Sequence, residues 1–259
     1  MPRFAANLSM MFNEVDFLDR FAAASKAGFS GVEYLFPYDY TKEELVELLQ
    51  REGLTQVLHN LPAGDWGAGE RGIACHPDRV SEFRDGIAKA IEYANALGCS
   101  QVNCLAGIAP DGVEPETLRE IFVSNLKFAA PLLEQAGIRL LIEPINVRDI
   151  PGFYLTHTAQ ARSIIEETGS DNLSLQYDIY HMQIMEGDLA RTIEENLDII
   201  RHFQIADNPG RHEPGTGEIN YPFVFDAIDK TDYDGWIGCE YVPLDTTESG
   251  LGWISPYMG

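Results

Sequence analysis

The sequence predicts an α/β fold, a single (β/α)₈ TIM barrel spanning residues 1–259, with a short or irregular final helix. Two observations predict it. Short apolar segments of strand length alternate with helical patterns along the chain, and glycines follow most of the helical patterns. Strand-then-helix units repeated in this way favour a parallel sheet. A length of 259 residues suits one large barrel and requires no second domain.

Eight segments have the composition of strands that are buried on both faces. They are rich in Val, Ile, Leu and Phe and are bounded by turn or polar residues. In chain order, the predicted strands are Phe4–Leu8, Gly31–Phe36, Thr55–His59, Gln101–Leu105, Arg139–Ile145, Leu173–Tyr177, His202–Ile205 and Gly235–Tyr241.

Helical patterns fill the gaps between these strands. Thr41 and Glu44 match a capping box, and Asn220 precedes Pro222 as a helix N-cap would. The other predicted helices are a segment around Phe17, Phe21 and Ala24, then Asp78–Leu97, Glu116–Gln135, Thr158–Thr168 and Leu189–Ile200. The eighth helix is weak, because the segment Val242–Gly259 after the last strand is interrupted by Gly and Pro.

The composition argues against nucleic acid and membranes as partners. The chain has 41 acidic and 18 basic residues and a formal charge of −23, which repels phosphate backbones and anionic lipid surfaces. The four cysteines form no CxxC pair, no apolar signal core opens the chain, and no run approaches membrane-helix length. We therefore expect a cytoplasmic protein with reduced thiols; the sequence leaves homo-oligomer formation open.

An oxygen ligand stands at or near the end of four predicted strands: Glu143, Asp178, Gln204 and Glu240. In a parallel barrel these ends converge on one mouth, where active sites lie. Three carboxylates and one amide, with no thiolate or imidazole, suit Mg²⁺ or Mn²⁺ better than Zn²⁺. The alternative is that each acid is salt-bridged and structural, and that Gln204 bonds a neighbour. No comparably placed Lys or Arg neutralises the three acids together.

These groups support proton transfer beside a carbonyl. A divalent metal stabilises an enediolate, and a carboxylate removes the proton next to the carbonyl and returns it to the adjacent carbon. Glu143 and Glu240 are the candidate catalytic residues. The chain has no Walker lysine motif, so we expect no nucleotide cofactor.

Four further residues are candidates for substrate binding. His59 ends the third predicted strand and His181 follows Asp178 by three residues, so either imidazole could bond a substrate oxygen. Arg71 and Arg211 lie on long loops of a very acidic chain, which suggests that they bind a small anion such as the carboxylate of a 2-oxo acid. For each residue the alternative is an ordinary structural histidine or surface arginine.

Several segments together resemble the hydroxypyruvate isomerase family, within the xylose-isomerase-like barrels that include tagatose epimerases and AP endonucleases. The resemblance runs from end to end and is carried by RFAANLSMMF, FPYDY, HNLPAGDWGAGERGIAC, LLIEPIN, QYDIYHMQ, QIADNPGRHEPGTGEINY and GCEY. It implies a divalent metal at the four oxygen ligands, Glu143 and Glu240 as the acid/base pair, and substrate contacts at His181 and Arg211. The related epimerases use a histidine where Gln204 stands, so the chain agrees with the hydroxypyruvate isomerase branch.

The resemblance implies reversible interconversion of hydroxypyruvate and tartronate semialdehyde, with a place in glyoxylate and carbohydrate metabolism. A 2-oxo-tetronate isomerase using the same chemistry is the close alternative, and a ketose 3-epimerase is a second. A phosphodiesterase acting on damaged DNA is disfavoured by the charge of −23 and by the lack of a histidine-rich zinc cluster. A sugar-acid binding protein without activity is disfavoured because binding needs no paired bases.

Overall fold

Eight parallel strands close into a barrel in which each strand pairs with its chain neighbours and β1 pairs with β8. The computed structural model describes residues 3–257; residues 1, 2, 258 and 259 of the predicted domain lie outside that range. The strands are β1 Arg3–Asn7, β2 Gly31–Glu33, β3 Thr55–Asn60, β4 Gln101–Cys104, β5 Arg139–Ile142, β6 Leu173–Asp178, β7 Ile200–Ile205 and β8 Trp236–Cys239. The predicted barrel is confirmed.

Helices follow the strands around the barrel. They are α1 Arg20–Lys26, α2 Lys42–Glu52, α3 Val80–Leu97, α4 Pro115–Gln135, α5 Thr158–Thr168, α6 Ile179–Met185, α7 Leu189–Asn196, α8 Tyr221–Asp229 and α9 Thr247–Gly250. The predicted caps are present, since Thr41 and Glu44 form a capping box and Asn220 accepts the Phe223 N–H. The final helix is short, as predicted, and a 3₁₀ turn at Leu251–Ile254 follows it.

Three predicted boundaries are wrong by three residues or more, and others differ by one or two residues. The predicted helix Leu189–Ile200 runs too far, because α7 ends at Asn196 and Ile200 pairs with Leu175 in the sheet. The predicted strands Gly31–Phe36 and Arg139–Ile145 are too long, because the chain leaves the sheet after Glu33 and Ile142. The apolar residues beyond those points belong to the loops at the barrel mouth. Helix α6 was not predicted at all; it begins directly after Asp178.

Two apolar layers hold the fold. The larger lies between strands and helices and includes the fully buried side chains of Phe21, Leu45, Phe122, Ile164 and Phe225. The smaller is a separate cluster of strand residues, Ala5, Val57, Leu58 and Leu141. Two residues beyond Ala5 on β1 stands buried Asn7, on the same face of the strand. Within residues 3–257, no helix is both long and apolar enough to cross a bilayer.

Polar residues replace apolar ones towards the C-terminal ends of the strands. They are buried and come from five different strands: Asn7, Glu33, Asn103, Gln176, His202 and Gln204. Burying so many polar groups is costly unless they bond to one another or to a ligand. The fold therefore places a polar layer directly beneath the mouth of the barrel.

Removing the Tyr221 hydroxyl should destabilise the barrel beside this mouth. Tyr221 in α8 is 1% exposed and donates a 2.7 Å hydrogen bond to the carbonyl oxygen of Ala206, just beyond β7. Tyr221→Phe leaves that carbonyl unpaired, so urea denaturation should show a free energy of unfolding lower by about 1–2 kcal/mol.

The matched control is Phe223→Tyr in the same helix. Phe223 is 59% exposed, so its added hydroxyl faces water and should change the free energy of unfolding by less than about 0.5 kcal/mol. Equal effects of the two variants would show that the buried hydrogen bond contributes nothing.

Candidate metal centre and active site

The four predicted oxygen ligands lie at the C-terminal mouth of the barrel. Asp178 is the last residue of β6, Gln204 is the next-to-last of β7, and Glu143 and Glu240 each stand one residue past β5 and β8. All four are buried. Glu143, Asp178, Glu240 and His181 each offer an atom to a group in which these atoms all lie within 4.8 Å of one another. The structure thus brings the three predicted carboxylates together.

Asp178 joins β6 to α6 and leaves one oxygen unpaired. Its Oδ1 caps the helix by accepting the N–H groups of Tyr180 at 2.8 Å and His181 at 3.4 Å. Its Oδ2 is buried and has no hydrogen-bond partner in the described chain; His181 Nε2 stands 3.5 Å away. An unpaired buried carboxylate oxygen is expensive. It fits a cation as its missing partner.

Gln204 reaches the carboxylate cluster through its amide. Its Nε2 donates to Oε1 of Glu240 at 3.2 Å and to Oε1 of Glu33 at 2.7 Å. Its Oε1 accepts from Nε2 of Gln176 at 2.5 Å. The nitrogen end of the amide therefore faces Glu240, and the oxygen, which accepts one hydrogen bond from Gln176, keeps a second lone pair as a neutral hard donor.

Arg211 forms an ion pair with one carboxylate of the cluster. Its Nη2 donates to Oε2 of Glu240 at 2.6 Å, and its Nη1 is 3.7 Å from Oδ2 of Asp149. The guanidinium also lies 5.1 Å from the ring centre of Tyr180. Arg211 adopts a φ of 56°, an uncommon conformation for a residue other than glycine. The loop after β7 is thus shaped to bring this arginine to the cluster.

Hydrogen bonds fix which nitrogen of His181 carries the proton. The side-chain oxygen of Asn146 accepts the backbone N–H groups of Arg148 at 3.0 Å and Asp149 at 2.8 Å, so the Asn146 amide nitrogen faces Nδ1 of His181 at 2.6 Å. Nδ1 therefore accepts, and Nε2 carries the hydrogen. Burial lowers the pKa of His181 well below 6.5, so the ring is neutral. A protonated Nε2 is a hydrogen-bond donor towards the cluster and does not ligate a metal.

Glu143 accepts fewer hydrogen bonds than Glu240. Its Oε2 accepts from Nδ2 of Asn103 at 2.9 Å, and its Oε1 is 3.9 Å from Nε2 of His181. Glu240 accepts from Arg211, from Gln204 and, at 3.1 Å, from Asn7. Glu143 thus retains more free lone pairs for a reacting group.

Of the two remaining predicted binding residues, Arg71 and His59, only Arg71 faces the cavity. Arg71 lines the cavity, with its guanidinium 4.2 Å from the ring centre of Trp66. His59 does not line it; the residue is 0% exposed and its Nδ1 lies 3.1 Å from the carbonyl oxygen of Asn60. Asn60, the next residue on β3, lines the cavity instead, because successive side chains of a strand point to opposite faces. His59 therefore lies behind the wall.

A cavity of about 240 Å³ opens over this cluster. Its walls include Arg71, Glu143, His181, Gln204, Arg211 and Glu240. Such a volume admits a small organic acid. Most of the predicted catalytic and binding residues thus face the same space.

Burial and mutual repulsion make the cluster hard to ionise. Burial raises the pKa of Glu240 to about 8, against the opposing effect of Arg211, and raises that of Asp178 to about 6. The pKa of Glu143 is raised well above its ordinary value by burial and by the charges of Glu240 and Asp178. A divalent cation would favour the ionised forms. The donor set and the electrostatics therefore fit a metal centre.

Sequence reasoning missed several residues of the site. Glu33 ends β2, Asn7 ends β1, and both line the cavity. The signal that selected Glu143 and Asp178, a polar side chain at the end of a strand, applies to them equally. Asp149 also lines the cavity, but it lies in a loop and carries no such signal.

Comparison with known proteins gives the class of this fold and site. Residues 21–257 match the model of the xylose isomerase-like TIM barrel family, and the chain therefore belongs to that family. It is 58% identical to hydroxypyruvate isomerase of Escherichia coli (strain K12) over 99% of this chain and 100% of that one. The resemblance seen in the sequence is confirmed, and within this class the chain belongs to the hydroxypyruvate isomerase family.

Two further proteins resemble the whole chain. A 2-oxo-tetronate isomerase from Cupriavidus necator is 49% identical over 100% of both chains. A crystal structure described as AP endonuclease, family 2, from Brucella melitensis is 48% identical, with a TM-score of 0.97 and 99% coverage of each chain. Both likenesses extend over the barrel from end to end.

The raised pKa values predict how the stability of the metal-free protein depends on pH. A carboxyl group whose pKa is raised by folding makes the folded state less stable as pH rises from its ordinary pKa to the raised one. His59 and His181, whose pKa values are lowered by burial, act in the opposite sense, and their effect fades above their ordinary pKa of 6.5. Between pH 6.5 and about 8 the effect of the glutamates is the larger one.

We therefore expect the free energy of unfolding of the metal-free protein to fall as pH rises from 6.5 to about 8. A divalent cation held by these groups would abolish the fall, because it favours the ionised carboxylates. Urea denaturation at a series of pH values, with and without Mg²⁺, measures both profiles. A metal-free profile that is flat or rising over this interval would contradict the electrostatic description of the site.

Proposed function

We propose that the chain is a hydroxypyruvate isomerase, which interconverts hydroxypyruvate and 2-hydroxy-3-oxopropanoate (tartronate semialdehyde). It is an isomerase of a family whose relative is 58% identical over the full length. The observation that carries the mechanism is the pairing of Glu143 and Glu240 in one buried cluster, inside a cavity with Arg71 and Arg211 in its walls.

Mg²⁺ or Mn²⁺ is the proposed cofactor, held by Glu143, Asp178, Gln204 and Glu240. The unpaired Oδ2 of Asp178 supports this assignment, and oxygen donors suit these hard ions. When bound, such an ion polarises the carbonyl and hydroxyl oxygens of a substrate. His181 stays outside the ligand set because its Nε2 carries a hydrogen, which it offers to a substrate oxygen.

The reaction moves two protons and needs no redox partner. A carboxylate removes a proton from C3 of hydroxypyruvate, next to the C2 carbonyl, and leaves an enediolate. A proton then returns to C2, and the hydroxyl proton of O3 is transferred to O2. Glu143 is the better-placed base for carbon because its side-chain donors are the amides of Asn103 and Gln176 and not an arginine. Glu240, held by Arg211, is assigned the second proton.

The two arginines have different tasks. Arg211 is already paired with Glu240 and Asp149, so its role is to hold Glu240 in place. Arg71 uses Nη1 to donate to the carbonyl oxygens of Trp66 and Glu70, which orients the guanidinium and leaves Nη2 for a ligand. We assign the substrate carboxylate to Arg71, since a guanidinium forms strong charge-assisted bonds to carboxylates.

A 2-oxo-tetronate isomerase is the second candidate. The 49% identity to the Cupriavidus necator enzyme favours it, and the same proton transfer would serve a four-carbon 2-oxo acid. The two candidates share the metal and the bases. They differ in the length of substrate between the cluster and the carboxylate-binding arginine.

Turnover of hydroxypyruvate tests the proposal. We expect conversion to tartronate semialdehyde, identified by NMR, to stop after chelation and to return with Mg²⁺ or Mn²⁺. Glu240→Gln should lower the rate by about 10²–10⁴-fold, the usual contribution of a general acid or base. Glu248→Gln, at an exposed glutamate, is the control and should retain full activity.

Two results would change the assignment. Full turnover by Glu240→Gln would overturn the two-carboxylate mechanism. Failure of the protein to convert hydroxypyruvate, together with conversion of a 2-oxo-tetronate, would support the second candidate.

Arg71→Gln should raise KM for hydroxypyruvate and leave kcat much less affected. A lost charge-assisted hydrogen bond to the substrate costs about 1.5–3 kcal/mol, which corresponds to roughly a tenfold to hundredfold increase in KM. Steady-state kinetics measure both constants. Arg211→Gln is the comparison, and it should lower kcat because it frees Glu240. An unchanged KM in Arg71→Gln would remove Arg71 from the substrate site.

A further inference from the structure

Glu33 is a buried carboxylate on which three N–H groups converge. It ends β2 and is 1% exposed. Its Oε1 accepts from Nε2 of Gln204 at 2.7 Å and from Nδ2 of Asn7 at 3.1 Å, and its Oε2 lies 2.8 Å from Nε2 of His202. The proposed reaction gives it no chemical step. Its position nevertheless connects strands on different sides of the barrel.

His202 is held so that it donates to Glu33. The amide nitrogen of Gln101 lies 3.3 Å from Nδ1 of His202. Because an amide nitrogen only donates, Nδ1 accepts and the ring hydrogen resides on Nε2, facing Glu33. Both oxygens of Glu33 therefore act as acceptors. The side chain behaves as a fixed acceptor inside the barrel.

A fixed acceptor determines the orientation of the Gln204 amide. An amide side chain has a donating end and an accepting end, and only the nitrogen end is compatible with a carboxylate acceptor. Gln176, on the other side of Gln204, is an amide itself and could present either end. Glu33 makes the shorter of the two carboxylate contacts to the nitrogen end, at 2.7 Å against 3.2 Å for Glu240. It leaves Oε1 of Gln204, which accepts one hydrogen bond from Gln176, with a second lone pair for a ligand.

A glycine in a nearby strand, Gly238, leaves space for the carboxylate of Glu33. Gly238 in β8 pairs with Gln204 in β7, and a Cβ atom at position 238 would lie 2.3 Å from Oε1 of Glu33. Any larger residue there would push the carboxylate away from Gln204. The glycine and the glutamate thus form one arrangement.

We propose that Glu33 is a positioning residue that orients the amide of Gln204, so that its carbonyl oxygen is the end offered to the divalent cation. The inference rests on the proposed metal site, and it assigns a role to a residue that does not touch the substrate chemistry. Residues that orient metal ligands in this way are worth about 10- to 100-fold in metal affinity.

The test is a double-mutant cycle read out as the dissociation constant for Mn²⁺, measured by electron paramagnetic resonance without substrate. Glu33→Gln keeps the size of the side chain but lets the Gln204 amide turn, so Mn²⁺ should bind about 10- to 100-fold more weakly. Gln204→Glu alone places a carboxylate against both Glu33 and Glu240. The double variant E33Q/Q204E exchanges donor and acceptor between positions 33 and 204 and should bind Mn²⁺ more tightly than the two single changes predict together, so the two changes should not be additive.

Two further variants separate orientation from packing. Gly238→Ala displaces the Glu33 carboxylate without removing a polar group and should also weaken Mn²⁺ binding. Asn125→Leu removes a buried 2.9 Å hydrogen bond to the Ala74 carbonyl in the outer layer and should lower stability without changing the Mn²⁺ affinity. Circular dichroism establishes that each variant is folded.

The outcomes distinguish this inference from the proposed function. Wild-type Mn²⁺ affinity in Glu33→Gln, or strictly additive effects in the cycle, would overturn the role of Glu33. Mn²⁺ binding by the wild-type protein without turnover of hydroxypyruvate would count against the substrate assignment alone. Failure of the wild-type protein to bind Mn²⁺ would overturn the metal site and the role of Glu33 together.

Discussion

The burial of three carboxylates at one mouth is the constraint on which the rest of the site depends. A closed parallel barrel brings its C-terminal strand ends together, so Glu143, Asp178 and Glu240 cannot move apart without breaking the sheet. Arg211 forms an ion pair with Glu240, whereas no Lys or Arg of the described chain forms one with Glu143 or Asp178. Two uncompensated carboxylates have the charge that one divalent cation neutralises. The polar layer of amides beneath them supplies hydrogen bonds but no charge.

The junction between β6 and α6 also brings a neutral hydrogen-bond donor, His181, to the carboxylate cluster. Because Asp178 caps α6 with one oxygen, the helix starts immediately and returns His181 to the cluster one turn later. Asn146 accepts two backbone N–H groups and thereby turns its amide nitrogen towards His181. The tautomer of the histidine is therefore determined by a loop after β5, and the only unprotonated nitrogen faces away from the carboxylates.

The fold and the three central acids could be predicted because they depend on local pattern and on topology. Apolar runs mark strands, and barrel closure alone brings strand ends together. His59 could not be placed in this way, since a shift of one residue along β3 reverses the direction of a side chain. Glu33 carries the same strand-end signal as Glu143, but it was missed because the predicted strand ran on to Phe36. Its contact with Gln204, 171 residues away, is encoded by no sequence period. The ion itself leaves no pattern that separates Mg²⁺ from Mn²⁺.

The acids proposed to transfer protons and the arginine proposed to bind the substrate carboxylate lie on different parts of this barrel. The acids and the Gln204 amide are anchored at strand ends, where the sheet holds them rigidly. Arg71 lies instead on the loop 61–77, where its contact with Trp66 and the ring of Phe36 behind that tryptophan set its position. With the substrate carboxylate on Arg71, as proposed, the distance from this arginine to the cluster would limit the length of the 2-oxo acid. A change in the loop would then alter three-carbon against four-carbon preference while the proposed bases stay the same, which agrees with relatives of both names sharing the whole fold.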